Sequence, residues 1–277
     1  TRMSDHPATD SPLGKSSEYP DRYDPSLLFP VAREENRRRI GLDDGRWPWF
    51  GEDMWQAWEI SWLKPGGVPA VAWGEIRFPA ASPAIIESKS LKLYLNSLNQ
   101  AVFSSPDQVA ETITQDLSSA CGAAVDVTLL SVDDSAPAIG RPEGYELIDD
   151  ETLEQVAYDY APESLTTSEP VVSEGLSSHL LKSNCPVTGQ PDWATVLIRY
   201  SGRKIDRAGL LRYIVSFRQK QDFHEHCVET IFTDLMARCQ PESLMVCARY
   251  TRRGGLDINP WRSTCAEDGP GPRLVRQ

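Results

Sequence analysis

The chain has 277 residues, 40% hydrophobic and 25% charged, a balance that excludes a disordered or fibrous protein and suits one large domain or two modest ones. Its formal net charge of −12 argues against broad binding to nucleic-acid phosphates, so a small-molecule substrate is expected and direct nucleic-acid contact is not. No run approaches the roughly 20 apolar residues that span a bilayer, and the first 25 residues lack a signal peptide's apolar core, so a cytoplasmic protein without membrane contact is expected.

Residues 1 to about 50 are rich in Pro, Ser, Asp and Arg. "RWPWFGEDMWQAWEISWL" then supplies five of the eight tryptophans, a density that reads as packing in a core or an interface. "AVAWGEIRF" reads as a strand, and "SLKLYLNSL" alternates apolar with polar residues as a second strand would. A helix follows, with Ser105 as N-cap, Pro106 at its first position, Gln108 at its third, and Val109, Ile113 and Leu117 on one face. Gly122 ends it, and "AAVDVTLLSV" returns as a strand. A Pro-, Ser- and acid-rich stretch from about Asp133 to Ser173, interrupted by "ETLEQVAYDY", reads as a linker.

Beyond the linker the plan repeats. "TVLIRYSG" and "LLRYIVSF" read as strands, a helix runs through Phe223, Cys227, Ile231 and Leu235, and "LMVCARYTR" returns as a strand. Aligning "LYLNSLNQ" with "RYIVSFRQ" pairs Tyr94 with Tyr213 and Ser97 with Ser216, 119 residues apart; aligning "ETITQDL" with "ETIFTDL" gives an offset of 118. Two matches in one order at nearly one offset point to a tandem duplication. The chemistry-bearing residues differ between the copies: His224 and Glu225 open the second helix where the first has Pro106 and Asp107, and Cys185 has no counterpart thiol before residue 87.

Six cysteines form no C-x-x-C pair, so free thiols in a reducing compartment are expected. In "FHEH", His224 and His226 stand two apart and diverge on a helix, and H-E-x-x-H is absent, so no metal site is expected. Glu225 fits either a helix-start acid favoured by the dipole or a carboxylate accepting two hydrogen bonds from adjacent N–H donors, as on a guanine edge. In "ESKSLK", read as a strand, Glu87, Lys89 and Leu91 share one face and Ser88, Ser90 and Lys92 the other; these are solvated strand charges unless a phosphate-rich cofactor gives Lys89 or Lys92 work. Arg252 and Arg253 precede Gly254 and Gly255 in a basic turn suited to phosphates, and no G-x-G-x-x-G follows a strand. Cys185, in "SNCPVTGQPDWA", sits between Asn184 and Pro186 in a turn, where side chains are often exposed, with Asp192 seven residues on. Residue types leave nucleophile and packing both open for this thiol.

Taken together, "ESKSLKLYLNS", "SNCPVTGQPDWA", "SFRQKQDFHEHCVE" and "RRGGLDINPWRS" resemble, in order, the signature blocks of the long, two-module NADPH-dependent 7-cyano-7-deazaguanine reductase family, over nearly everything from about residue 20 onward. The resemblance implies an α+β fold of two tandem tunnelling-fold modules, residues 1–160 and 161–277, each an antiparallel sheet with paired helices on one face. It implies reduction of a deazapurine nitrile to a primary amine by two NADPH in turn, a step toward the queuosine of tRNA. It makes Cys185 the nucleophile that forms a covalent thioimide and Asp192 the proton donor. Ile86, Glu87, Ser88, His224 and Glu225 are implied to bind substrate, and Ser88, Lys89, Arg253 and Gly254 to contact NADPH. Because these motifs fall in different copies, a homodimer with its site where modules meet is expected, with the tryptophan-rich segment helping to close an interface.

Two other classes are compatible with parts of this pattern. A pterin enzyme or cyclohydrolase on the same fold would keep Glu225 but needs metal-binding Cys and His residues. A non-catalytic purine-binding module would keep Glu225 and have no need of Cys185 with Asp192.

Overall fold

The computed structural model describes residues 10–12, 20, 22–42, 45–134, 139–153, 156 and 158–277. In the first half the elements are β1 (Pro30–Ala32), α1 (Glu34–Arg39), β2 (Phe50–Leu63), β3 (Pro69–Pro79), β4 (Ala84–Ile86), α2 (Ser88–Ser97), α3 (Pro106–Cys121) and β5 (Asp126–Leu130). There follow β6 (Ile139–Gly140), β7 (Glu146–Leu147), β8 (Thr167–Asn184), β9 (Pro191–Ile205), α4 (Arg207–Ser216), α5 (His224–Cys239), β10 (Ser243–Tyr250), β11 (Leu256–Ser263) and β12 (Arg273–Leu274). This is an α+β chain. Among the described residues no helix is long and apolar enough to cross a membrane.

Packing divides the chain into two units that interleave in sequence. The first comprises Thr1–Glu35, Asp53–Ala136 and Arg252–Asp257; the second comprises Asn36–Glu52, Pro137–Thr251 and Ile258–Gln277. The first unit carries strands in the order β5-β3-β2, and the second β11-β10-β9-β8-β7. Pairing is antiparallel between β3 and β5, β8 and β9, β9 and β10, and β10 and β11, while the short β7 runs parallel to β8.

Two expected strands are helices. "SLKLYLNSL" forms most of α2 and "LLRYIVSF" most of α4. Their apolar alternation misleads because both helices are buried on several sides: Leu91, Leu93, Tyr94 and Leu95 in α2, and Leu210, Leu211, Tyr213 and Ile214 in α4, are all inside. Acids start them. Glu87 accepts from the amides of Lys89 (2.7 Å) and Ser90 (2.9 Å), and Asp206 accepts from the amide of Gly209 (2.8 Å). The repeated order is therefore strand, strand, helix, helix, strand, and Lys89 and Lys92, three apart on a helix, share one face instead of pointing oppositely.

The other expected elements stand. α3 starts at Ser105, whose hydroxyl accepts from the Gln108 amide, and buries Val109, Ile113, Leu117 and Cys121. β3, β5, β9, α5 and β10 occupy the segments read as strands and helix. The linker ends sooner than expected, since β8 already begins at Thr167; Glu154, Gln155 and Ala157 of "ETLEQVAYDY" lie outside the described residues. Trp49, Trp55 and Trp62 are buried and Trp58 stacks on Trp73 with centroids 5.0 Å apart, so these tryptophans pack the interior.

The aligned residues do equivalent work in each unit. In the first, the Tyr94 and Tyr23 hydroxyls donate to Asp116 at 2.6 and 2.7 Å, and the Ser97 hydroxyl donates to the Tyr94 carbonyl while accepting from the Asp24 amide. In the second, Tyr213 and Tyr160 donate to Asp234, and Ser216 donates to the Tyr213 carbonyl while accepting from the Ala161 amide. Each clamp ties the two helices of a unit to the segment upstream. The helix ends correspond too, with one difference: α3 closes on Gly122 at φ 74°, whereas α5 closes on Gln240 at φ 49°. A side chain in the left-handed region costs about 1 kcal/mol. Gln240→Gly is accordingly expected to stabilise the protein by about 0.5–1 kcal/mol, and an unchanged or lowered urea midpoint would contradict that strain.

Candidate active site

In the second unit, β8 and β9 are joined by a tight connection that begins at Cys185. The Cys185 amide donates to the Gln190 carbonyl (2.9 Å), its carbonyl accepts from the Gly189 amide (3.0 Å), and its Sγ receives the Thr188 amide at 3.5 Å. The thiol is only 3% exposed, which corrects the expectation of an exposed turn cysteine: the loop folds its own backbone around the sulfur. Ser183 pairs with Asp192 across the ladder. Continuing that register puts Cys185 on the same face as Asp192 and diagonal to it, a relation that spans about 7–8 Å between neighbouring strands.

A third segment completes the group. Asn184 donates its amide to the Lys220 carbonyl (2.9 Å) and accepts from the Asp222 amide (3.0 Å), so the chain entering α5 runs alongside the end of β8. That pairing carries His224 and Glu225, the first two residues of α5, to the same strand end. His224 Nε2 lies 3.3 Å from Asp192 Oδ2, and its ring stacks on Tyr250 with centroids 3.9 Å apart and planes at 20°. Glu225 is 2% exposed in the first helical turn, where the helix dipole favours a carboxylate. His226 turns away to Asp222, with Nδ1 3.2 Å from Oδ1, so the two imidazoles diverge. Among the described residues no group of three or more His, Cys, Asp or Glu is placed to hold a metal ion.

Two supports were not visible in the sequence. Lys182 donates to Asn184 Oδ1 (2.7 Å) and to the Arg218 carbonyl (2.8 Å), latching the end of β8 to the turn before α5; burial, with Arg218 nearby, lowers its ammonium pKa. Tyr250 sits at the end of β10, wholly buried, and burial pushes its phenol well above the usual value, keeping the ring that supports His224 neutral. Neither lies in one of the aligned blocks or has a motif of its own, so no local pattern singles them out.

All six cysteines are free, and only Cys265 is exposed. Burial pushes the Cys227 thiol up to about 12 and those of Cys239 and Cys247 up to about 11. A thiol that titrates higher folded than unfolded lends stability below its unfolded value, near 9, and loses it as pH rises toward the folded value. Between about pH 9 and 12 the urea midpoint is expected to fall, with a slope approaching about 1.4 kcal/mol per pH unit for each such thiol. A flat midpoint from pH 9 to 11 would sink this.

The other expected residues gather in the first unit. Ile86 ends β4, paired with Pro30 of β1, and is 2% exposed. Glu87 is fully buried; burial raises its carboxyl pKa against the opposing hydrogen bonds of Lys89 and Ser90, and the Ser88 hydroxyl approaches at 3.4 Å. Arg253 and Gly254 lie in a two-residue hairpin turn: Arg253 and Leu256 exchange backbone hydrogen bonds at 2.9 and 3.2 Å, and Gly254 and Gly255 take φ 61° and 77°. Both central residues of that turn type need positive φ, which is what the Gly-Gly pair supplies. The turn rests on α2: a Cβ on Gly254 would lie 3.3 Å from Lys92 Nζ. Lys92 of α2 thus meets an arginine turn with open backbone, a donor set that fits phosphate groups.

A thiol and a carboxylate at one strand end, with an imidazole held against the carboxylate, define a site equipped for covalent and acid–base catalysis. Residues 19–129 match the family described as "Nitrile reductase, 7-cyano-7-deazaguanine-reductase N-term", and residues 191–269 match "QueF-like protein". The NADPH-dependent 7-cyano-7-deazaguanine reductase of Chromohalobacter salexigens is 54% identical over 268 residues, covering 96% of this chain and 96% of its own. Those of Dechloromonas aromatica and Bordetella avium are each 54% identical, over 274 and 266 residues, covering 98% and 95% of this chain and 96% and 97% of their own. The chain belongs to the family of NADPH-dependent 7-cyano-7-deazaguanine reductases. Among solved structures, the archaeosine synthase QueF-Like in the apo form aligns with 37% of this chain and 99% of its own, at 16% identity and a TM-score of 0.31, too slight a likeness to argue from.

Proposed function

We propose that the chain reduces the nitrile of 7-cyano-7-deazaguanine to the primary amine, with NADPH as reductant, through a thioimide on Cys185, as a step in queuosine biosynthesis. The observation that carries the reading is the convergence of Cys185, Asp192 and His224 at one end of β8 and β9. Sulfur adds to the nitrile carbon, and the nitrile nitrogen takes a proton, leaving a C=N group bonded to Cys185. The thiol's own proton balances that addition; Asp192 lies on the same face of the ladder and serves as the donor that protonates the C=N nitrogen for hydride transfer, with His224 Nε2 at 3.3 Å to hold its carboxyl in place. Glu225 accepts two hydrogen bonds from the guanine-like edge.

NADPH supplies a hydride at each of two steps, bound by Ser88, Lys89, Arg253 and Gly254; Ile86, Glu87 and Ser88 complete the substrate contacts. The first hydride and departure of the Cys185 sulfur give an imine, and the second, with a proton, gives the amine. Excluding water between these steps prevents hydrolysis of the imine to an aldehyde. The active species is proposed to be a cytoplasmic homodimer, which sedimentation of the purified protein would check.

Intact-protein mass spectrometry tests the function. Mixing protein with 7-cyano-7-deazaguanine is expected to add one nitrile's mass, and adding NADPH is expected to remove it and release the amine. Folded protein that binds the deazapurine without any mass increase would favour a purely non-catalytic binding module.

A further inference from the structure

Ser183 is idle in the proposed mechanism, although it stands directly opposite Asp192 in the ladder between β8 and β9. Residues paired in this way point to one face of the sheet with Cβ atoms about 4.5–5.5 Å apart, a gap that a hydroxyl and a carboxyl group together can close. Ser183 shares that face with Cys185, two positions along the same strand.

Its surroundings set it apart. The residue is 0% exposed, and its Oγ reaches no hydrogen-bond partner of ordinary geometry within the protein. A buried hydroxyl in that condition weakens a fold, since water has been stripped from it and nothing replaces the lost bond. Two polar groups lie near it, the Cys227 thiol on α5 and the Tyr250 phenol on β10, and both are uncharged. Burial pushes the thiol up to about 12 and, with Cys227 and Asp192 close by, holds the phenol well above its usual value. Neither is an anion that would claim the Ser183 proton.

The reaction creates one. When hydride from NADPH reaches the carbon of the C=N group, the π pair moves to nitrogen and takes the proton of Asp192, whose O–H bonding pair stays behind as a carboxylate. Asp192 is only 6% exposed, so that anion forms almost out of reach of water. A hydroxyl aimed at the place where charge develops stabilises the anion more than the uncharged acid before it, and a serine needs only a turn about χ1 to make that bond.

We infer that Ser183 is a positioning residue for the reduction, acting through Asp192: its hydroxyl turns to donate to the Asp192 carboxylate as the proton leaves. The inference rests on the proposed nitrile reduction and assigns to its hydride step a hydrogen bond made only while the charge is present.

Ser183→Ala separates this role from packing. Rapid mixing followed by intact-protein mass spectrometry, with 7-cyano-7-deazaguanine alone and then with NADPH, measures adduct formation and its reduction separately. The reduction step and kcat are expected to fall about 10- to 100-fold, the effect of one hydrogen bond to a charged group, while adduct formation and the KM for the nitrile stay within about twofold. The urea midpoint should be unchanged or higher, because the resting fold loses no bond. In an Asp192→Asn background the same substitution should slow nothing further, since no carboxylate forms there. Reduction at the wild-type rate, equal losses of adduct formation and reduction, a lowered midpoint, or full additivity with Asp192→Asn would each overturn the assignment and return Ser183 to packing. Wild-type protein that forms no adduct, or one that NADPH does not discharge, overturns the nitrile reading itself and the inference with it.

Discussion

Cys185→Ala is expected to lose the nitrile adduct in mass spectrometry and to reduce turnover by more than about a thousandfold, the loss seen when a covalent nucleophile is removed. Its stability should fall modestly, by about 1 kcal/mol, since the buried sulfur leaves a small void while the backbone bonds of residues 185, 189 and 190 need no side chain. A variant that still reduced the nitrile at a hundredth of the wild-type rate would remove the thioimide from the mechanism. Asp192→Asn provides the contrast: it should slow reduction more than adduct formation, because it removes the proton and keeps the thiol. Faster loss of adduct than of reduction would take the donor role away from Asp192.

Glu229→Gln is expected to cost about 3–5 kcal/mol without touching the reacting groups. Glu229 lies in α5 with no exposed surface, between two buried guanidinium groups: Arg37 Nη2 at 2.7 Å and Arg262 Nη2 at 2.8 Å. Neutralising it leaves two buried cations to repel each other. Arg37 also lies over Trp47, with its Cζ 4.0 Å from the ring centroid, and Trp49 meets Phe232 of α5 edge-on at 5.5 Å, so the segment before β2 is fastened to α5 by charge and by rings. Replacing Arg37, Glu229 and Arg262 together by apolar residues of similar volume should cost much less than Glu229→Gln alone. Urea titrations of the two variants would decide; equal losses would mean that packing, and not charge, governs this cluster.

Short-range features could be read from the sequence. Ser105, Pro106, Gln108 and Gly122 marked the bounds of α3 because a helix must satisfy its terminal amides and carbonyls within a few residues. The repeat was legible for the same reason: Tyr94, Ser97 and Asp116, with Tyr213, Ser216 and Asp234, are kept as identical side chains around identical local bonds. α2 and α4 were misread because the period-2 signal requires one face to be wet, and neither helix keeps a wet face of that kind. The burial of Cys185 was illegible for a different reason. Asn184 must pair with residues 220 and 222, and a pairing 36 or more positions away leaves no trace in a local window. Arg37 and Glu229, 192 residues apart, are a longer case still. The residues expected at the site fall into one group in each unit, Cys185, Asp192, His224 and Glu225 in the second and Ile86 to Lys89, Arg253 and Gly254 in the first.

The interleaving of the units has a consequence for what the gene can become. A polypeptide stopped after Ala136 would keep Lys92 but forfeit the Gly-Gly turn on which it rests, because Arg252–Asp257 comes from the far end. One begun at Pro137 would keep Glu229 but forfeit Arg37, and with it one of the two cations that neutralise it. No single scission yields both units whole. Either fragment would therefore begin life short of a segment that its own unit packs with.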